Sequence, residues 1–400
     1  MNVIDGQAGL IICSSLIFYS LTIDNILNIV ILLILAGVSI ATLSGKNGIV
    51  TQVNKATENT LQAKEEELRK LTQGEAATCL EKYKYEDPSG EVVTIPAKCA
   101  VSLIEGENTL KDGLVIIDIN GNEWVWISVP KNIMPESLNF EDENDYLTLE
   151  NKLKAYVSEF QDENYGDIFY SEEEYGISEE EYYKLKNTML KSIYDNGGFY
   201  VGRYEVGTIN LRNTKEAQLT DPVILKGVYP YNYVTASQSR ELAQKLAPGE
   251  QTSSLMFGIQ WDLVLKYLKV NGMPEEDLKT NSGSWGNYND VAFDITRGKY
   301  STDSGVSYTQ VSEIYQKPKS GVLLTTGATE RNSKMNIYDL AGNVHEITLE
   351  RMKVEHNTET QAYRGGAFNI SSVDFNACRR TNVAYGFQNY NIGFRAMLLL

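Results

Sequence analysis

The chain has 400 residues, more than one typical domain, and 42% of them are hydrophobic, which is enough for a substantial folded core. Its formal net charge of −17 argues against nucleic acid as a partner, because phosphates are bound by clustered Lys and Arg. Two histidines and four cysteines leave little material for histidine-based metal catalysis or for a Ser-His or Cys-His nucleophile.

The N-terminus carries two apolar runs, at residues 8–19 and 26–43. The second has 18 positions with one polar amide, Asn28, and no charged residue, close to the ~20 residues needed to cross a bilayer. We therefore expect residues 1–50 to form a transmembrane segment. The nearby Lys and Arg follow this segment, and by the positive-inside rule this favours a cytoplasmic location for the rest of the chain. Long domains obey the positive-inside rule weakly. The orientation in the membrane stays open.

Residues 51–75 are predicted to form a polar helix that serves as a stalk. Its thin apolar stripe consists of Val53, Leu61, Leu68 and Leu71. The string SLTIDNILNIVILLILAGVSIATLSGKNGIVTQVNKA, which starts at Ser20, resembles the prepilin-like leaders of clostridial surface proteins, although Ser20 stands where those leaders carry a processed Gly. The resemblance implies an extracellular head at the cell surface and a pilus-like or oligomeric assembly.

Beyond residue 76 the sequence becomes rich in predicted β-strands. Residues 76–113 include an alternating stretch at 90–97, and we expect them to form a β-rich connector. Residues 114–129 predict two strands around Asn120-Gly121, a strong hairpin signal. A further strand is expected at 199–207.

Residues 132–195 are strongly acidic, with 17 Asp and Glu against five Lys, a net charge of −12. We interpret this stretch as a solvated surface insertion. Inside it, Ser178 and Glu181 form a capping-box pattern, which predicts a helix that starts at residue 179. The other predicted helices are 235–246 and 261–270, and residues 272–335 are expected to be dominated by loops.

The four cysteines have no spacing typical of a metal site; they are Cys13, Cys79, Cys99 and Cys378. Cys13 lies in an apolar run and Cys378 near the C-terminus. Only Cys79 and Cys99 are candidates for a disulfide, and the sequence leaves their pairing open.

Several segments occur in the order found in the formylglycine-generating-enzyme type of C-type lectin fold. They are NEWVWISV (122–129), FYVGRYEVG (199–207), YPYNYVTASQSRELAQKL (229–246), SSLMFGIQWDLVLKYL (253–268), NIYDLAGNVHEIT (336–348) and the brackets RGG and GFR (364–395). The chain resembles this family, also known as sulfatase-modifying factors, over residues 114–400. The resemblance implies an α+β, C-type-lectin-like domain in which the last strand, 396–400, returns beside early strands.

The GNV-x-E turn of this family surrounds a cation with side-chain and backbone oxygens. The resemblance implies a calcium site here at Asp339, Gly342, Val344 and Glu346, since calcium prefers carboxylate and carbonyl oxygens. His345 stands where the family usually has an aromatic residue. A structural turn without metal is the alternative.

The enzymes of this family hold copper with two cysteines just before the GFR strand, as soft thiolates. The present chain offers only Cys378 in that region. We therefore expect no copper and no catalysis by the family route. The alternative, an oxidoreductase of the formylglycine-generating type, lacks its cysteine pair.

The second bracket includes Ile392, so that 25 residues, 367–391, lie between Arg364-Gly365-Gly366 and Ile392-Gly393-Phe394-Arg395, and we call them the bracketed segment. It contains no Lys, Glu, Met or Trp and a single Gln, although about five such residues would be expected from the composition of the chain. These five residue types are the ones that codons ending in a pyrimidine cannot encode. The composition indicates a segment that is written by a mutational process.

This arrangement resembles the variable proteins of diversity-generating retroelements, in which adenine-directed mutagenesis of Asn-type codons rewrites a C-terminal region on the same fold. The resemblance implies that the diversified, ligand-binding positions are Phe368, Asn369, Ile370, Val373, Asp374, Asn376, Cys378, Arg379, Thr381, Asn382, Val383, Tyr385, Phe387, Asn389 and Tyr390. The fixed positions would be Arg364, Gly365, Gly366, Ala377, Arg380, Gly393, Phe394 and Arg395.

The predicted function is binding of a protein or glycan ligand by the bracketed segment of a membrane-anchored receptor or adhesin. Phe and Tyr would supply apolar area and Arg, Asp and Asn directional contacts, as in antibody paratopes. A structural pilin-like subunit is a further alternative, and an ordinary surface loop with a chance composition is another.

Overall fold

The computed structural model of the protein describes residues 49–163, 165–353, 359–383 and 386–400. The chain divides into two compact units, Met1–Glu67 and Leu68–Leu400. In chain order the helices are α1 (Ile49–Ala76), α2 (Glu143–Tyr156), α3 (Glu172–Tyr175), α4 (Glu179–Asn196), α5 (Ala236–Gln244), α6 (Gly258–Val270) and α7 (Glu275–Lys279).

Most of the β-strands are short, and they form two larger sheets and several small ones. In chain order they are β1 (Tyr83–Glu86), β2 (Val92–Ile95), β3 (Cys99–Val101), β4 (Val115–Asp118), β5 (Glu123–Ser128), β6 (Gly198–Gly202), β7 (Gly207–Thr208), β8 (Tyr229–Pro230), β9 (Thr252–Leu255), β10 (Phe293–Ile295), β11 (Lys299–Ser301), β12 (Thr309–Gln310), β13 (Tyr315–Lys317), β14 (Leu323–Leu324), β15 (Ser333–Lys334), β16 (Ile337–Tyr338), β17 (His345–Lys353), β18 (Glu359–Arg364), β19 (Thr381–Val383), β20 (Ile392–Phe394) and β21 (Ala396–Leu399).

Helix α1 confirms the helix predicted at 51–75, and its last turns belong to the second unit. Thr72 and Ala76 are fully buried there. Gln73 donates from its side chain to the carbonyl of Ile119 at 2.9 Å. Leu61 and Leu71 of the apolar stripe are each 54% exposed.

No helix within the described ranges is long and apolar enough to cross a membrane. The apolar runs at 8–19 and 26–43 lie outside those ranges, so the transmembrane segment predicted at 1–50 falls on residues that the structure does not describe.

The larger sheet has six strands in the order β3-β4-β5-β6-β21-β9. The hairpin of β4 and β5 turns at Asn120-Gly121 as predicted, and Gly121 has a φ of +85°, a conformation that glycine adopts readily. Strand β21 lies between β6 and β9, which confirms the return of the C-terminal strand to early strands. Because β3 is an edge of this sheet, part of the predicted connector 76–113 is built into the second unit.

The second sheet has four strands in the order β19-β18-β17-β20. In β17, Glu346 is opposite Arg364 of β18 on one side and Gly393 of β20 on the other. The two sequence brackets therefore flank the same strand. The bracketed segment leaves the sheet at the end of β18, returns to pair with β18 as the edge strand β19, and ends where β20 begins.

The acidic insertion is less solvated than predicted. Helices α2 and α4 place apolar side chains in the main core, among them Leu149, Leu153, Tyr182, Met189 and Ile193. Helix α4 starts at Glu179 behind the expected capping box, with Ser178 and Glu181 bonded reciprocally. The excess of charge hid an amphipathic pattern, since most acidic residues of these helices lie on the outer side, while the buried Glu150 is paired with Lys186 at 2.8 Å.

The strand predicted at 199–207 breaks at Arg203. Strand β6 ends at Gly202, and β7 starts only at Gly207. Between them, Arg203 and Glu205 turn to buried polar partners, which a continuous strand would not reach. Residues 272–335 are mostly loops and strands of two or three residues, as predicted.

Candidate functional site

The bracketed segment is held largely through its main chain. The surrounding fold makes hydrogen bonds to main-chain atoms at six of its positions. The side chains at those positions take no part in these bonds. These bonds run from Asn289 Nδ2 to Asn369 O (3.0 Å), Asn289 N to Ile370 O (3.1 Å), Trp261 Nε1 to Ala377 O (3.0 Å), Cys378 N to Leu278 O (3.0 Å), Tyr233 N to Asn389 O (3.1 Å) and Asn232 Nδ2 to Tyr390 O (3.0 Å).

Two serines of the segment, which are not among the predicted variable positions, are bound through their side chains as well. The carboxylate of Asp290 accepts from Ser372 N at 3.1 Å, from Ser372 Oγ at 3.0 Å and from Ser371 Oγ at 3.3 Å. Ser282 N donates to Ser372 O at 3.2 Å, and Ser282 Oγ accepts from Ala377 N at 2.9 Å. The predicted variable positions are thus interleaved with anchored ones.

The predicted ligand-binding positions differ in their exposure. The exposed side chains are Val373, Asp374, Arg379, Asn382 and Phe387. The half-buried ones are Asn369, Ile370, Cys378, Thr381, Asn389 and Tyr390. The side chain of Val383 and the whole of Tyr385 lie outside the described part of the structure.

Phe368 and Asn376 are buried and do not belong to the exposed surface of the segment. Phe368 is 2% exposed, packs with Leu323 and Val344, and lies 5.9 Å from the ring of Tyr390. Asn376 Nδ2 donates to Val373 O at 3.1 Å, and Asn376 Oδ1 accepts from Cys378 N at 3.2 Å. The resemblance to retroelement variable proteins placed these two among the ligand-binding positions, because the sequence carries no information on burial.

Arg364 and Arg380 complete a buried ring of four charges with Asp262 of α6 and Glu350 of β17. Arg364 contacts Asp262 Oδ1 at 2.7 Å through Nη2 and Glu350 Oε2 at 2.8 Å through Nη1. Arg380 contacts Asp262 Oδ2 at 2.6 Å through Nη2 and Glu350 Oε1 through Nε. All four side chains are at most 1% exposed. We call these four residues the charged ring.

The charged ring balances two positive against two negative charges, so that neither sign is left unpaired in the interior. Burial alone would lower the pKa of Arg380, but the carboxylates of Asp262 and Glu350 raise it well above its ordinary value. Arg380 Nη1 also donates to Phe160 O at 2.7 Å, which connects the ring to the acidic insertion. The middle of the bracketed segment is therefore held by a side chain that was predicted to be fixed.

Cys378 lies beside the charged ring as a half-buried thiol. Its Sγ contacts the carbonyl of Phe160 at 3.5 Å, and burial raises the pKa of the thiol. The three cysteines in the described residues, Cys79, Cys99 and Cys378, are all free. A single protonated thiol does not supply the pair of thiolates that copper(I) prefers.

The residues predicted to hold calcium are in place on their turn, but their carboxylates already have partners. Both carboxylate oxygens of Glu346 accept from Arg395 Nε, at 2.9 and 3.1 Å. Those of Asp339 accept from Gly327 N at 2.8 Å and Asn332 Nδ2 at 3.2 Å. Among the described residues, no three His, Cys, Asp or Glu side chains are grouped so that they could hold a metal ion. This arrangement does not favour calcium, which stays a prediction.

Glu205 is a buried acid near this turn that the sequence analysis did not single out. It accepts from Asn343 Nδ2 at 2.8 Å and from Val344 N at 3.0 Å. Burial first, and then the charges of Asp339 and Glu346, raise its pKa well above the ordinary value. Asp262 of the charged ring was missed too, although an acid inside the apolar run of α6 is an unusual feature that could have marked it.

Comparison with known proteins supports the motif-based resemblance in part. Residues 271–398 match the family model of the sulfatase-modifying factor enzyme 1-like domain, which confirms the resemblance there, both brackets included. A solved structure described as CarF is 14% identical, with a TM-score of 0.31, and the match covers 51% of this chain and 87% of CarF. Treponema denticola variable protein 1 is 12% identical, with a TM-score of 0.24, over 80% of this chain and 99% of that one. These TM-scores are too low to establish a common fold. No curated protein matches the chain.

Proposed function

We propose that this protein is a surface-displayed, ligand-binding protein whose bracketed segment forms a diversifiable binding surface. The observation that carries the proposal is the way the segment is held. Its anchors bind main-chain atoms at positions such as Asn369, Asn389 and Tyr390, and any residue except proline offers the same N–H and C=O groups. Side chains at those positions can therefore change without loss of the anchors.

The chemistry of the exposed side chains suits a protein or glycan ligand. Val373 and Phe387 are about half exposed and offer apolar area. Asp374, Arg379 and Asn382 add a negative charge, a positive charge and an amide to the same segment. Antibody paratopes combine the same two ingredients, which are apolar anchors and adaptable polar groups.

A non-enzymatic role agrees with the state of Cys378. The family's oxidase chemistry needs two thiolates on copper, whereas this chain has one cysteine near the GFR bracket, and burial keeps that thiol protonated. We therefore do not propose catalysis by that route for this chain.

The genomic DNA tests the diversification claim. We expect a near-repeat of the coding region for residues 367–391 close to the gene, with differences only at adenines, together with a reverse transcriptase gene. A locus without such a repeat contradicts diversification, although the segment could still bind a fixed ligand.

The binding claim is tested with the full-length protein on arrays of glycans and of cell-surface proteins. A variant with Ala at Val373, Asp374, Arg379, Asn382 and Phe387 should fold like the wild type but lose its array signals. A control with Ala at Ile209 and Val270, which are 69% and 63% exposed, should keep them. Equal signals from all three folded proteins would contradict binding by the bracketed segment.

A further inference from the structure

Cys79 and Cys99 lie beyond the open end of the hairpin that β1 and β2 form. Strands β1 and β2 are antiparallel, and Tyr83 is paired with Ile95 at the open end of their ladder. Cys79 precedes Tyr83 by four residues, and Cys99 follows Ile95 by four residues. Residues 97 and 98 form a turn between β2 and β3, so the ladder itself does not continue to the cysteines. The hairpin nevertheless brings the two segments that carry them to the same end of the ladder.

The chain beyond the ladder keeps the two arms together. Lys98 N donates to Cys79 O at 2.6 Å, so the main chain at Cys79 is bonded to the residue directly before Cys99. Lys98 has a φ of +61°, which marks a local twist of this arm next to the bond. Cys79 is thus bonded to the direct neighbour of Cys99, whose Cα lies about 3.8 Å further along the chain, and disulfides span Cα distances of about 4.4–6.8 Å.

Electrostatic coupling agrees with this proximity. Burial is the main cause that raises the pKa of the Cys99 thiol, and the charges of Asp118 and Cys79 add to it. Both thiols also act on Tyr83, whose pKa burial and these neighbours raise to about 12. Because Cys79 acts on Cys99 and both act on Tyr83, the two thiols lie within a short distance of each other.

We infer that Cys79 and Cys99 form an oxidisable pair, which closes to an intramolecular disulfide when the protein meets a disulfide oxidant such as oxidised glutathione. Cys79 is half-buried and can reach glutathione disulfide in solution, whereas Cys99 is fully buried. The Cys79 thiolate attacks one sulfur of glutathione disulfide and releases one glutathione thiolate. The Cys99 thiol then attacks Cys79 Sγ, gives up its proton in the same step and releases the second glutathione. Two protein S–H bonds are lost, one S–S bond forms, and the two protons protonate the departing glutathiones.

The bond would fasten the end of α1 to the larger sheet. Cys79 follows Ala76, the last residue of α1, by three positions, and Cys99 opens β3 at the edge of the six-stranded sheet. A covalent link here constrains the unfolded chain and is favoured in oxidising compartments. The inference is independent of the binding proposal, because neither cysteine belongs to the bracketed segment.

The test uses the full-length protein with Cys13→Ser and Cys378→Ser, so that only the proposed pair remains. After reduction, the protein is incubated with oxidised glutathione and its intact mass and peptide map are measured. We expect a mass decrease of about 2 Da, for the two hydrogens removed, and a peptide in which Cys79 is joined to Cys99. Thermal unfolding of the oxidised form should occur at a higher temperature than that of the reduced form.

A third substitution, Cys79→Ser, provides the control. In that protein the buried Cys99 should resist glutathione, and its mass should stay unchanged. Glutathione retained on Cys79 without a cross-link, a disulfide between two copies, or two thiols that survive prolonged oxidation would each overturn the inference. None of these outcomes bears on ligand binding.

Discussion

Replacement of Arg380 by Met tests the charged ring most sharply. The substitution keeps most of the side-chain length but removes the guanidinium, which leaves Asp262 and Glu350 to share Arg364 alone. Arg380 makes bonds to Asp262 at 2.6 Å, to Phe160 O at 2.7 Å and to Glu350. Because all four ring side chains are buried, the uncompensated negative charge stays in the interior.

Removal of one partner from a buried ion pair costs about 3–5 kcal/mol, so we expect a loss of that size in the free energy of unfolding. The assay is urea denaturation of wild type and Arg380→Met under the same conditions, with a common slope. Arg379→Met is the matched control, since the neighbouring arginine is exposed and its loss should cost at most about 0.5 kcal/mol.

A second substitution separates the loss of charge balance from the loss of packing. Glu350→Gln added to Arg380→Met restores neutrality and should recover part of the lost stability, since one charge of each sign then remains in the ring. An Arg380→Met protein as stable as Arg379→Met would refute the reasoning. So would a double variant whose loss equals the sum of the two single losses.

Three further predictions concern the segment and its support. Phe368→Ala should lower the free energy of unfolding by about 3–5 kcal/mol in urea denaturation, although this residue is among the predicted variable positions. Val373→Ala should lower it by about 0.5 kcal/mol or less. Equal losses would contradict the assigned burial. Asp290→Ala should speed hydrogen exchange of the amides near Ser372, because their carboxylate acceptor is lost, while unchanged exchange there would contradict that role. Burial lowers the pKa of His345 to about 4, below its unfolded value, so this neutral side chain contributes stability above pH ~6.5 that is lost as the pH falls toward 4. His345→Phe should therefore flatten the fall of the denaturation midpoint between pH 6.5 and 4, and an unchanged slope would contradict it.

Local signals in the sequence predicted local structure well. Asn120-Gly121 between two apolar stretches located the turn of β4 and β5, where Gly121 takes the left-handed backbone that glycine adopts readily. The capping box at Ser178 located the start of α4. The position of β21 followed from the family resemblance and not from its apolar composition, which gives no partner strand.

The contacts that organise the candidate site could not be predicted from such signals. Arg380 and Asp262 are 118 residues apart in the chain, and no periodic pattern links them. In a sequence, a buried charge looks the same as a surface charge, and a main-chain carbonyl leaves no signal. The bonds of Arg380 to Glu350 and to the carbonyl of Phe160 were therefore not foreseen. Which side chains of the segment are exposed depends on the same distant contacts. The sequence therefore could not separate the buried Phe368 from the exposed Phe387.

The most direct measurement of the central claim is a display library of the full-length protein, sorted for resistance to protease and sequenced across residues 364–395. If main-chain anchors hold the segment, folded members should accept almost any residue except proline at the anchored positions Asn369, Asn389 and Tyr390. The same tolerance is expected at the exposed positions Val373, Asp374, Arg379, Asn382 and Phe387. They should retain arginine at positions 364 and 380. A folded population that keeps the present residues at the five exposed positions, or that loses arginine from the charged ring, would contradict the account.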